Sequence, residues 1–365
     1  MGERFVVASF GESHGRCIGA LVDGCPAGLP LLEEDVQREL NLRKPGQSEV
    51  TTTRAEEDRV EILSGVFEGW TTGAPICLVI WNRDVNSTHY EKFRSTPRPG
   101  HADYTARVKY GGFNDWRGGG RFSGRTTATY VLAGAIAKKL LAITLGIEIL
   151  AYTSEIGEVS CESPTVAEIR RGRYSNIVRC PDQQAAERMR ELVLQLREEG
   201  DSVGGVITCI ALKMPVGLGE PVLSRLDADL SRGLYSIPAV RGVEFGAGFS
   251  SAQMRGSMSN DPFTLIGEGI GTKTNQAGGV LGGLSSGMPL ELRVVFKPPS
   301  SISLPQRSVD LESGEEVELQ VKGRHDPVIV PRAVPVVESV VGLVLADHAL
   351  RAGLIPPVLD TKERD

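Results

Sequence analysis

WRGGGRFSGR, Trp116 to Arg125, runs without a break into TTATYVLAGAIAKKLLAITLG, Thr126 to Gly146. The second part is rich in alanine and leucine and stops at a glycine, so it reads as a long helix capped near Gly146. IEILAYTSEIG then continues as a strand. Upstream, RVEILSGVFEG and APICLVIW read as strands, and LEEDVQRELNLR, lying between Pro30 and Pro45, reads as an amphipathic helix. Downstream, DQQAAERMRELVLQLREEG and LSRLDADLSRGLYS read as helices, and GGVITCIALKMPVG, VRGVEFGAG and ELRVVFKPPSSIS as strands. VPVVESVVGLVLADHAL is a long apolar helix near the end. Strands and helices interleave throughout, which predicts an α+β fold of mixed α/β layers.

The chain has 365 residues, 41% of them hydrophobic, enough to bury a substantial core. No low-complexity linker or charge block marks a boundary, so residues 1–365 read as a single domain. A net charge of −6 excludes general affinity for nucleic acid, because neutralising phosphates requires a dominant basic face. The first residues, MGERFVVASFGESHG, lack an apolar signal-peptide core, and no run reaches the length of a membrane span; a cytoplasmic protein is expected. Six scattered cysteines without a CxxC pair read as reduced thiols, and no metal site is expected.

Against that acidic background, three arginines and four glycines within Trp116–Arg125 stand out. Neither GxxxxGK[ST] nor GxGxxG is present. A glycine-rich turn before a helix still aims backbone N–H groups at an anion, and Arg117, Arg121 and Arg125 can add bidentate contacts. The plainer reading is a surface turn with solvated arginines. GLSSG, Gly283 to Gly287, matches the GxSxG pattern, but a strand follows it where a nucleophile elbow requires a helix. His89 and His348 read as structural or surface residues. Three polar clusters remain, GESHG with His14, RPGHADY with His101, and GRHDP with Arg324, His325 and Asp326. Chemistry on a polyanion requires this combination of arginines to hold charge, a histidine to protonate a leaving group and a carboxylate to accept a proton.

GESHG, RPGHADYTARVKYG, RGGGRFSGRTTA, AGGVLGGLSSG, KPPSSIS and GRHDPVIVPRAVPVVES, in this order and at these separations, closely resemble the chorismate synthases over nearly the whole chain. The resemblance implies a β-α-β sandwich and a homotetramer. It further implies conversion of 5-enolpyruvylshikimate 3-phosphate to chorismate and phosphate by a 1,4-anti elimination that needs reduced FMN without net redox change. By position, His14 is implied to protonate or hydrogen-bond the departing phosphate, His101 to stand near the N1/C2-carbonyl end of the flavin, and Asp326 to face flavin N5. Arg121, Phe122, Ser123, Pro238, Ala239 and Gly282 match flavin-contacting positions, as do Arg324 and the run Lys297, Pro298, Pro299, Ser300 and Ser301. Arg43 matches a substrate or NADP(H) contact, and Arg125 is assigned to substrate.

One position departs from the family pattern: Glu49 stands where relatives carry a second such arginine, which puts the NADP(H) contact in doubt. NADPH then enters as an indirect reductant, through an external flavin reductase. Two other classes stay open at the level of sequence. An FMN-binding electron carrier has no use for the arginines or His14, and a non-catalytic binder of a phosphorylated acid does not depend on flavin redox state.

Overall fold

The computed structural model describes residues 1–44, 58–83, 87–267, 269–321 and 326–360. Its first layer is an antiparallel sheet of β1 (Val6–Gly11), β2 (Cys17–Asp23), β3 (Val60–Ser64) and β4 (Ile76–Trp81), in spatial order β1-β2-β4-β3. In β2 and β4, Ile18 lies opposite Ile80 and Ala20 opposite Leu78, all four fully buried. That inner face packs on helices α1 (Glu33–Arg43) and α3 (Thr127–Leu145), while the short α2 (Asp103–Lys109) lies outside the layer.

The opposite layer is an antiparallel sheet of β5 (Glu148–Ile156), β6 (Val159–Ser160), β7 (Gly205–Leu212), β8 (Val240–Phe245) and β9 (Leu290–Phe296), in order β8-β9-β7-β5-β6. LELRVVF in β9 alternates as a half-buried strand should, with Leu290, Leu292, Val294 and Phe296 turned inward. Between the sheets, α6 (Leu226–Tyr235) joins α7 (Val330–Arg351), while α4 (Val166–Gly172) and α5 (Gln183–Glu199) flank the second sheet at β5 and β6.

Helices α3 and α7 form the spine of the middle layer. A Cβ on Gly134 of α3 would stand 2.3 Å from the Ser339 Cβ of α7, so glycine there lets the two helices touch. Helix α3 ends as expected on Gly146, whose φ of 66° is left-handed. Against expectation, Gly124–Leu145 and Val330–Arg351 are both long and apolar enough to cross a membrane. The α7 window is 94% buried inside the protein, because its apolar residues fill the space between two sheets on every side. One hydrophobic cluster runs continuously through all three layers, from Phe5 to Leu359. The architecture is the β-α-β sandwich.

Candidate active site

The first turns of α3 and α7 open into one cleft of about 910 Å3, which Thr126, Thr127 and Tyr130 line from α3 and Ile329, Arg332 and Ala333 from α7. Helix N-termini carry partial positive charge, so this is the end of the middle layer suited to an anion. The side chains reinforce it. Among the described residues, six arginines and one lysine line the cleft against a single carboxylate, Asp326. The protein's acidity is thus reversed locally.

The WRGGGRFSGR segment forms two short 3-10 turns, Arg117–Phe122 and Gly124–Thr126, with Gly118, Gly119 and Gly120 all at positive φ. Its three arginines do different things. Arg117 is exposed and closed bidentately on Asp115, at 2.9 and 2.8 Å, so it is not an anion donor to the cleft. Among the described residues Arg121 donates to neutral oxygens alone, including Gly11 O at 2.9 Å and Ser9 Oγ at 3.1 Å. Arg125 is buried, with Nη1 2.9 Å from Asp58 and Nε 2.8 Å from Asn82 Oδ1.

Arg43, the last residue of α1, reaches the same Asp58 at 3.4 Å and also donates to Gly124 O at 2.9 Å and Thr127 Oγ1 at 3.2 Å. Burial and the neighbouring Arg332 charge lower its pKa to about 10, despite the help of Asp58 and Asp326. Arg332 binds Asp326, yet its buried Nε has no hydrogen-bond partner among the described residues.

The far wall comes from strand ends. Lys297 directly follows β9, and its backbone N–H bonds Ala239 O just ahead of β8 at 3.0 Å. Its Nζ donates to Gly100 O at 2.6 Å, tying this wall to the RPGHAD turn, and burial together with Arg241 lowers its pKa. Pro238, Ala239, Pro298, Pro299, Ser300 and Ser301 continue the same wall, and Phe122 and Ser123 face it from the glycine segment.

His101 lines both this cleft and a smaller cavity of about 290 Å3 beside α2. Asp103 Oδ1 lies 2.6 Å from its Nδ1, and Arg98 bonds both oxygens of that carboxylate at 2.8 Å. Burial alone would raise the Asp103 pKa, but the hydrogen bonds from Arg98 and His101 hold it far below the usual carboxylate range. Arg98 in turn stacks 4.5 Å over Phe93 and donates to Ser301 Oγ at 3.2 Å. His14 is buried in the β1–β2 turn, behind the lining residues Ser13 and Gly118. Its Nδ1 is 2.9 Å from Ser87 Oγ, and Tyr90 meets the ring edge-on at 5.2 Å.

His101, Asp326, Arg43, Arg121 and Arg125 thus line one cleft, together with most of the expected flavin wall, while His14 lies behind it and Arg117 is turned away. Gly282 does not line the cleft; it sits in the turn between the short strands Val280–Leu281 and Leu284–Ser285. Glu49 and Arg324 lie outside the described residues. Ser285 of GLSSG is buried, donating to Pro215 O at 2.5 Å and accepting from Leu218 N at 2.8 Å, so it is no nucleophile. His348 is buried beside Asp229 at 3.0 Å. Sequence reading missed Asp58, Arg98, Asp103 and Arg332. Arg98 and Asp103 flank His101 within the quoted RPGHADY, whereas Asp58 has no local signal.

A chorismate synthase family model matches residues 5–350. A chorismate synthase of Dehalococcoides mccartyi strain BAV1 is 54% identical over 359 residues, 98% of each chain. One from Korarchaeum cryptofilum is 54% identical over 351 residues, 96% of this chain and 97% of its own. A crystal structure of chorismate synthase superposes with a TM-score of 0.74 at 29% identity, over 96% of this chain and 93% of its own. With the arginine-lined cleft at the helix N-termini and full-length similarity in both sequence and fold, the chain belongs to the chorismate synthase family of lyases.

Proposed function

We propose that the protein converts 5-enolpyruvylshikimate 3-phosphate to chorismate and phosphate by 1,4-anti elimination, with reduced FMN as a cofactor that undergoes no net redox change. The observation that carries this reading is the cleft, where among the described residues cationic side chains outnumber the single lining carboxylate, Asp326, with His101 in its wall and His14 behind it. A substrate with one phosphate and two carboxylates needs such a site.

The residues present also fit a flavin mononucleotide. The cleft is at the upper end of the roughly 300–1,000 Å3 typical of small-molecule sites, giving room for two ligands in contact. Arg332 Nε is a buried donor lacking a partner among the described residues, and Lys297 with Ser300 and Ser301 offers a cation and hydroxyls suited to a phosphate. Reduced FMN, when bound, supplies electron density to the substrate ring as phosphate leaves.

The chain's own residues do the rest. Arg43 and Arg125 are locked by Asp58 and so are preorganised toward the acid groups, which lowers the cost of ordering them on binding. His14 holds a proton at the departing phosphate oxygen. Asp326, the one carboxylate among the described lining residues, takes part in removal of the ring proton. NADPH enters this reading only indirectly, through a separate flavin reductase. The homotetramer of this reading would find a contact surface on the paired strands Phe263–Ile266 and Gly269–Thr272, where Phe263, Leu265 and Ile270 are each at least 70% exposed.

An anaerobic assay with chemically reduced FMN tests the reading. Phosphate and chorismate should form with reduced flavin and not with oxidised flavin or none. Equal release in all three conditions would contradict it.

A further inference from the structure

We infer that Asp103 is a positioning residue that fixes His101 as the Nδ1-protonated tautomer and so decides which ring nitrogen is presented to the cleft. The contact geometry carries this. Among the described residues two groups approach the His101 ring nitrogens, Asp103 Oδ1 at 2.6 Å from Nδ1, and Arg98 Nη2 at 3.1 Å from Nδ1 and 3.3 Å from Nε2. Arg98 Nη2 is nearly equidistant from the two ring nitrogens and so does not choose between them. At 2.6 Å Asp103 Oδ1 is the nearest of these groups to a ring nitrogen, and an ionised carboxylate only accepts. Its other bonds keep it ionised and fixed, with Oδ2 accepting from Arg98 N at 3.0 Å and Nε at 2.8 Å, and Oδ1 from Arg98 Nη2 at 2.8 Å. The proton is held on Nδ1. The Nε2 edge, beside Gly119 in the wall between the two cavities, is left as an acceptor when the ring is neutral.

Asp103→Asn should invert this. Arg98 donates twice to Oδ2, so the amide oxygen must take that place, and the amide NH2 then faces Nδ1 as a donor. The proton moves to Nε2. With only five histidines in the chain, the nitrogen resonances of a 15N-histidine sample of the flavin-free protein resolve the tautomer at alkaline pH. Wild type should carry the proton on Nδ1, D103N should shift the tautomer ratio by at least about tenfold toward Nε2, and Asp103→Glu should restore it. A wild-type His101 protonated on Nε2, or a D103N spectrum with unchanged His101 signals, would overturn the inference. Its bearing on turnover rests on the proposed function, but the tautomer does not. Absent turnover with the expected tautomer would overturn only the function.

Discussion

Asp58 lies 2.9 Å from Nη1 of Arg125 with its side chain wholly shielded from solvent, and its second oxygen takes Arg43 at 3.4 Å. One buried carboxylate thus holds two buried guanidiniums at the cleft. Removing one partner of such a unit costs about 3–5 kcal/mol, because the remaining charges stay desolvated. Asp58→Asn should lower stability to urea by about that amount and weaken substrate binding. A loss under about 1 kcal/mol would mean that the arginines do not depend on it.

Gly118 has a φ of 59°, and a Cβ there would come within 2.2 Å of the His14 ring. Gly118→Ala should therefore push His14 from its place without disturbing the core. A displacement near 1 Å at a reacting group costs about 10²-fold in rate. Turnover should fall by roughly that factor while the circular dichroism spectrum stays that of the wild type and stability drops by about 1–2 kcal/mol from the left-handed alanine. Full activity would separate His14 from the chemistry.

His14→Ala should reduce turnover by about 10²-fold or more and leave FMN affinity within about twofold, since His14 sits behind the cleft wall and Lys297–Ser301 lie across from it. His101→Ala should act mainly through the flavin, raising its dissociation constant. Titration of flavin fluorescence distinguishes the two. If His14→Ala lost flavin and kept its rate per bound flavin, the two roles would have to be exchanged.

Glu338 lies buried at the centre of α7, taking Lys138 Nζ at 3.1 Å, Arg173 and the backbone N–H of Ala151 at 2.9 Å. Burial pushes its pKa up, but Lys138, Arg173 and the Ala151 N–H outweigh that, and the net shift is below its ordinary 4.5. A carboxyl with a depressed folded pKa contributes stability that is present above the unfolded value and lost as pH falls through the folded one. Asp103 acts in the same sense. Urea midpoints should therefore drop below about pH 4.5, and Glu338→Gln should be less stable at neutral pH but lose less on acidification. Parallel acid slopes for the two proteins would remove Glu338 from this account.

Local sequence made most of the architecture legible. The Ala/Leu run after Arg125, the Gly146 stop and the alternation in LELRVVF each act over a few residues and needed no tertiary help. The apolar length of α7 is hard to read because charged Glu338 and Asp347 interrupt it, and only the fold shows that Lys138 pairs with the first and the backbone N–H groups of Glu3, Arg4 and Phe5 donate to the second. At the site, histidines and arginines were readable as a set because their chemistry is distinctive. Which arginines face the cleft was not readable. Arg117 and Arg125 are alike in sequence, yet one closes on Asp115 two residues away and the other on Asp58, 67 residues away. Pairings across such separations leave no local pattern.

The most direct test of the central claim is the ratio of product to flavin. With reduced FMN supplied anaerobically at far below the substrate concentration, chorismate and phosphate should accumulate in equal amounts over many turnovers while the flavin remains reduced. Product limited to one equivalent of flavin, or flavin oxidised in step with product, would contradict an elimination in which the cofactor recovers its electrons.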